Sequence, residues 1–149
     1  MKHLSIAVIL FLTILGSTRA NTTGGTEPQF VGVENFQHKY PNATDVTYKV
    51  KGQFTEVNFE WNAMKLQAFY DRDGNFLATC RPVSVGNLPL SVQMSLKNEY
   101  ANYIERDAIE YNDSDDGVSY YVTAIGAKST YLLRVSTSGS ISVFKKMKN

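Results

Sequence analysis

The chain has 149 residues, with 15 Lys and Arg against 14 Asp and Glu, 43% hydrophobic residues and a single cysteine. A formal charge of +1 excludes the basic footprint that nucleic acid or an anionic membrane surface requires. One cysteine excludes an internal disulfide, so the fold must rest on its apolar core, for which the length suffices.

Residues 1–20 read as a signal peptide. Lys2 supplies the positive start, Leu4 to Leu15 the apolar run, and Thr18-Arg19-Ala20 a small-x-small cleavage site. The run is shorter than the ~20 residues of a spanning helix. The expectation is a mature chain that begins near Asn21, is periplasmic or secreted, and does not insert in a membrane once cleaved. Lys2 and Arg19 leave with the peptide, which takes the formal charge from +1 to −1. Residues 21–27 are polar and Gly/Thr-rich and read as a flexible leader.

Residues 28–82 read as a helix followed by four strands. Pro28 opens the helix, Phe30, Val33, Phe36 and Tyr40 form its apolar stripe, and Pro41 ends it. Thr44 to Val50 alternates, with Val46, Tyr48 and Val50 on one side. In Phe54 to Trp61, Val57, Phe59 and Trp61 share a face opposite Glu56, Asn58 and Glu60. Asn62-Ala63 turns the chain into Met64 to Tyr70. Asp71-Arg72-Asp73-Gly74-Asn75 is a hairpin signal before a strand from Phe76 to Arg81, which Pro82 is expected to stop. Cys80 reads as a buried small hydrophobe.

Residues 88–149 repeat the plan. Val92, Leu96, Tyr100 and Tyr103 mark a helix opened by Pro89. Strands follow at Ile109 to Tyr111, Val118 to Ile125, Ser129 to Ser136 and Ile141 to Lys145. Gly52 and Gly117 stand 65 residues apart, as do Gly74 and Gly139. The fold class is therefore α+β, as two tandem helix-plus-four-stranded-antiparallel-sheet repeats forming one compact unit. An antiparallel sheet covered by helices on one face leaves the other free, and Trp61 is expected beneath the first helix.

Catalytic chemistry finds few candidates. His38 is the one histidine outside the signal peptide and lies off the apolar stripe, so a Ser-His-Asp or Cys-His site would depend on it alone. One Cys and one His fall short of a zinc site. Asp113-x-Asp115-Asp116-Gly117 resembles the start of a calcium loop, but Thr123 stands where the bidentate Glu belongs. Acidic hairpin turns account for both this segment and Asp71-x-Asp73-Gly74. Glu56 and Glu60 are four residues apart on one strand face, roughly 13 Å, which is too far for a glycosidase pair at ~5–9.5 Å. No cofactor is expected, and the reading is a non-enzyme.

What remains is the free sheet face. Its candidate partner-binding residues are Glu56, Asn58, Glu60, Lys65, Gln67 and Phe69 in the first half, and Tyr121, Thr123 and Arg134 in the second. Phe69 and Tyr121 are expected to be exposed anchors of one surface that meets another protein or a peptide. The alternative is a small-ligand carrier with a pocket between the repeats, near Cys80 to Asn87. The chain is expected to be a monomer.

The order of these words resembles a family. A helix, then Tyr40-Pro41-Asn42-Ala43-Thr44-x-Val46, a strand, Gly52, a strand, Ala68-x-Tyr70-Asp71-x-Asp73-Gly74, a strand, and Leu88-Pro89 opening a helix is similar to the beta-lactamase-inhibitor-like, PepSY-like secreted proteins of Gram-negative bacteria. The likeness covers nearly the whole mature chain, although Tyr48 stands where the family often has Trp. It implies tandem helix-plus-sheet repeats similar to beta-lactamase inhibitory protein, whose two sheets form a concave protein-binding face. It implies no catalytic residues. That inhibitor relies on disulfides this chain cannot make, so the resemblance is one of fold.

Overall fold

The computed structural model describes residues 29–149; the expected signal peptide, the leader and Pro28 lie outside the described residues. The elements run α1 (Val33–Lys39), β1 (Thr44–Lys51), β2 (Phe54–Trp61), β3 (Met64–Asp71), β4 (Phe76–Val83), a 3-10 turn at Val85–Asn87, α2 (Leu90–Glu99), β5 (Ile104–Asp113), β6 (Gly117–Ile125), β7 (Ser129–Ser136) and β8 (Ile141–Lys148). The fold is α+β. All eight strands lie in one antiparallel sheet, in chain order. The two expected sets of strands are thus one surface, joined where Ala78 to Val83 of β4 pairs with Asp113 to Ala108 of β5.

Both helices pack on the same face, over separate cores. Under α1, Phe36 and Tyr40 meet Val57 and Phe59 of β2 and Ala68 and Tyr70 of β3, and Phe30 completes the cluster. The rings interlock edge to face, with Phe36 4.9 Å from Phe59 and Phe30 5.2 Å from Tyr70. Under α2, Val92 and Leu96 meet Ala108, Tyr120, Val122, Ala124, Leu133 and Val135. Between these cores, the same face of β4 and β5 carries Thr79, Arg81, Glu110 and Asn112, paired across the ladder. That polar seam is why neither core runs into the other.

The four glycines at matching spacing sit at the β1–β2, β3–β4, β5–β6 and β7–β8 turns, all at positive φ. Asn62 and Ala63, at φ +51° and +59°, form the two-residue turn from Trp61 to Met64. This left-handed pair matches the twist of a hairpin, but it forces a Cβ at Ala63 where glycine would carry none. At Gly74 the constraint is also steric, because a Cβ there would lie 2.8 Å from Gly32 Cα. The β3–β4 turn is pinned to the approach of α1, where Asn35 Nδ2 donates to the Gly74 carbonyl at 2.8 Å.

Several expectations change. α1 starts at Val33, which is exposed rather than on the buried stripe. Pro82 does not stop β4: it lies in the stretch that pairs with β5 beyond the last β3–β4 pair. One side of the strand is free of ladder there, a setting that proline tolerates. β5 begins at Ile104, five residues before the expected start, because a register shift between Glu105 and Ala108 breaks the alternation. Trp61 takes the helix face as expected but is only half-buried. It ends β2, so its ring packs on Tyr40 at 5.7 Å and its indole nitrogen donates to the Pro41 carbonyl at 2.9 Å.

Replacing Ala63 by Gly relieves the left-handed strain, and the variant should gain about 0.5–1 kcal/mol in denaturant unfolding. Gly74→Ala should lose about 2 kcal/mol or more in the same experiment, because strain and backbone collision act together.

Candidate binding surface

The face opposite the helices is built by alternation. Pairing places Lys51, Phe54, Glu56, Asn58, Gln67, Phe69, Ala78 and Cys80 on it in the first half. The second half adds Ile109, Tyr111, Ser119, Tyr121, Thr123 and Arg134. Among the described residues no helix covers this face, yet its middle is not exposed. Phe69 is 3% exposed, Tyr121 6%, Gln67 4% and Glu56 8%. The expectation of exposed anchors at Phe69 and Tyr121 is therefore corrected.

The physical reason is the packing of large rings over small residues on neighbouring strands. Register shifts interrupt four of the ladders, and such bulges bend and twist a sheet. Large rings then lean over small neighbours. Phe69, Ala78 and Cys80 form a third core, flanked by Phe54, Leu77, Ile109 and Tyr111. Phe54 stands 6.0 Å from Phe69, and Tyr121 packs on Tyr111 at 5.9 Å and on Phe144 at 5.4 Å. The face has an aromatic floor. Burial pushes the Cys80 thiol well above its ordinary value, with the Glu56 charge adding to the shift, so it is a poor nucleophile.

Beside this floor lies a polar network that alternation alone did not reveal. Lys51 pairs with the Glu56 carboxylate. Asn58 Nδ2 donates to Glu56 Oε1 at 3.2 Å, and Gln67 Nε2 donates to Asn58 Oδ1 at 2.9 Å. The carboxylate accepts only, so it fixes the orientation of both amides. Gln67 Oε1 is left buried with no partner among the described residues. Lys51 was missed because it sits at the turn, although the short β1–β2 hairpin register, which opposes Lys49 to Glu56, points to it.

The remaining candidates lie around the floor. Lys65 is exposed, and Glu60, Thr123 and Arg134 are half-buried. Arg134 holds only loose partners, with Nε 3.4 Å from Ser119 Oγ and Nη2 3.8 Å from Asp116 Oδ2. The acidic segment next to it forms a self-contained turn. Burial acts to raise the Asp113 carboxyl, but the N–H groups of Asp115 at 2.9 Å and Asp116 at 3.1 Å, the Tyr111 hydroxyl and the Arg134 charge together hold it below its ordinary 3.8. At Asp71 too burial acts to raise the carboxyl, and the Asn75 side chain with the N–H groups of Asn75, Asp73 and Gly74 together hold it below its ordinary value. Among the described residues, no cluster of three or more His, Cys, Asp or Glu stands ready for a metal.

The same architecture occurs in solved structures. A BLIP-like protein from Bacteroides fragilis superposes with a TM-score of 0.71 at 21% identity, over 84% of this chain and 89% of that one. The chain has a BLIP-like fold. A DUF2874 family protein from Bacteroides ovatus matches at 0.69 and 19% identity, over 84% of this chain and 89% of that one. Another from Bacteroides uniformis matches at 0.69 and 14%, over 81% and 88%. No protein-family description matches the sequence, and no curated protein does either. At such identities the likeness carries the BLIP-like fold and nothing about partners.

Two measurements probe this face. Phe69→Ala should cost about 3–5 kcal/mol of stability, as expected of a buried ring and not of a surface anchor. Asp113 has a folded-state value below its unfolded one, so it stabilises the fold above about pH 4 and ceases to do so as pH falls through the folded value. Asp113→Asn should melt below wild type at pH 7, and the gap should narrow as pH falls below the unfolded carboxyl's value and close once it passes the folded one.

Proposed function

We infer that the chain is an exported, non-enzymatic binding protein that presents the sheet face opposite the helices to another protein or a peptide. The single observation that carries this reading is the pre-formed surface itself: an aromatic floor beside a fixed Lys51–Glu56–Asn58–Gln67 network, with no helix over it among the described residues. A surface ordered before contact loses little entropy on binding. Half-buried Phe54, Tyr111 and Phe144, with exposed Lys65 and half-buried Arg134 around them, give a partner both apolar and charged contacts.

Export is supported by the signal-peptide pattern of residues 1–20. The tandem-repeat reading is supported by the element order, a helix and four strands twice over, and by left-handed glycines at 52 and 117 and at 74 and 139. A non-enzymatic role accords with a buried Cys80 thiol that is held protonated and with His38 exposed on the outer side of α1. Inhibition of an enzyme is one form such binding would take.

The test is affinity capture from a cell-envelope extract with three proteins in parallel. Wild type and Leu90→Ser, altered on the outer side of α2, should enrich the same partner. The double variant Lys65→Glu, Arg134→Ala should lose it by about tenfold or more while its melting temperature is kept. Equal capture by all three folded proteins would remove this sheet face as the binding surface.

A further inference from the structure

On the helix side, the seam between the two cores opens into a recess of about 210 Å³. α1 ends at Lys39 just before it, and α2 packs over the second core, so no helix among the described residues covers this part of β4 and β5. Tyr40, Leu66 and Phe76 give the recess an apolar wall. Arg81 and Glu110 line it as a two-pronged pair, with Nε and Nη2 donating to separate carboxylate oxygens at 2.8 and 2.9 Å. The third guanidinium nitrogen, Nη1, faces only the Met64 thioether at 3.5 Å, a weak acceptor. Lys39 lines the same recess. Its Nζ lies 4.0 Å from the centre of the Phe76 ring, and no carboxylate among the described residues stands within ion-pair distance of it.

Two cations and one carboxylate leave a net positive charge beside an apolar wall. Both Lys39 Nζ and Arg81 Nη1 retain N–H groups with no good acceptor. An incoming anion would gain charge-assisted hydrogen bonds from both, and Glu110 already holds the guanidinium in place, which lowers the ordering cost. The volume is below the ~300 Å³ at which drug-sized pockets begin, so the occupant is small. We propose that this recess binds a monocarboxylate with an apolar body about one ring in size. The carboxylate sits between Lys39 and Arg81, and the body lies against Leu66 and Phe76. The site is on the opposite side of the sheet from the candidate binding face and does not depend on the function assigned there.

The experiment is an amide-shift NMR titration of the full mature chain with phenylacetate and, separately, with its neutral counterpart phenylacetamide. Phenylacetate should cause saturable shifts at Lys39, Phe76 and Arg81 with millimolar affinity, and phenylacetamide should bind at least about fivefold more weakly. Lys39→Met, at an exposed helix end, should keep the melting temperature and remove the preference for the acid. N-acetylphenylalanine tells the two sources of such a group apart: binding tighter than phenylacetate assigns the site to a peptide's C-terminal residue, and weaker binding assigns it to a free acid. The proposal is overturned by an absence of saturable shifts at these residues up to on the order of 10 mM. Equal binding of acid and amide, or an acid preference that survives Lys39→Met, overturns it as well.

Discussion

Everything else in the molecule depends on the pairing of β4 with β5. The connection between them is long, running through the 3-10 turn and α2, and it returns β5 to the open edge of β4 with Ala78 opposite Asp113 and Val83 opposite Ala108. Without that ladder the chain would be two four-stranded sheets, each with an additional bare edge, and bare edges invite pairing with other chains. With it, the edges that remain are β1 and β8. β8 carries Lys145, Lys146 and Lys148, and β1 carries Lys49 and Lys51 together with a bulge at Asp45, where φ is +51°. Charge and irregularity both blunt an edge.

The ladder also decides which face holds the halves together. On the helix side the join is polar, so Arg81 and Glu110 separate the two cores instead of merging them. On the other side, Phe69, Ala78, Cys80, Ile109 and Tyr111 make an apolar cluster that crosses the join. A face left bare by the helices therefore contributes a core of its own, which suits a chain with no disulfide to strengthen it. That burial imposes conditions on the polar groups at its margin. Glu56, 8% exposed, is tolerable there only because Lys51 and Asn58 compensate its charge.

Much of this was legible in the sequence. Period-two alternation located the strands and their faces correctly, because alternation is a property of the backbone. Glycines at turns were equally clear, since few other residues accept their φ. Alternation, however, reports only which side a residue takes, and says nothing of what covers that side. Phe69 was placed on the correct face and still misjudged, because its burial comes from side chains on neighbouring strands. The start of β5 was hidden by a bulge in the charged run Glu105-Arg106-Asp107. The Lys51–Glu56–Asn58–Gln67 network and the seam recess draw residues from two or more elements. Their register is fixed only once the whole sheet has formed.

Strand β4 takes part in both surfaces. Because its residues alternate, Thr79 and Arg81 face the recess while Ala78 and Cys80 form the floor of the opposite face. Both surfaces therefore share one strand, with ladder bonds on each side and close-packed neighbours on the side away from the helices. Close-packed interiors give little when pushed, and they transmit displacement instead of absorbing it. The small residues on β4 are what allow Phe69 and Tyr111 to close over it. A larger residue at Ala78 or Cys80 would push those rings outward and change the surface that they form. The shape of the candidate surface is thus set from beneath, by two of its smallest side chains, and the charged residues at its margin take their positions from that shape.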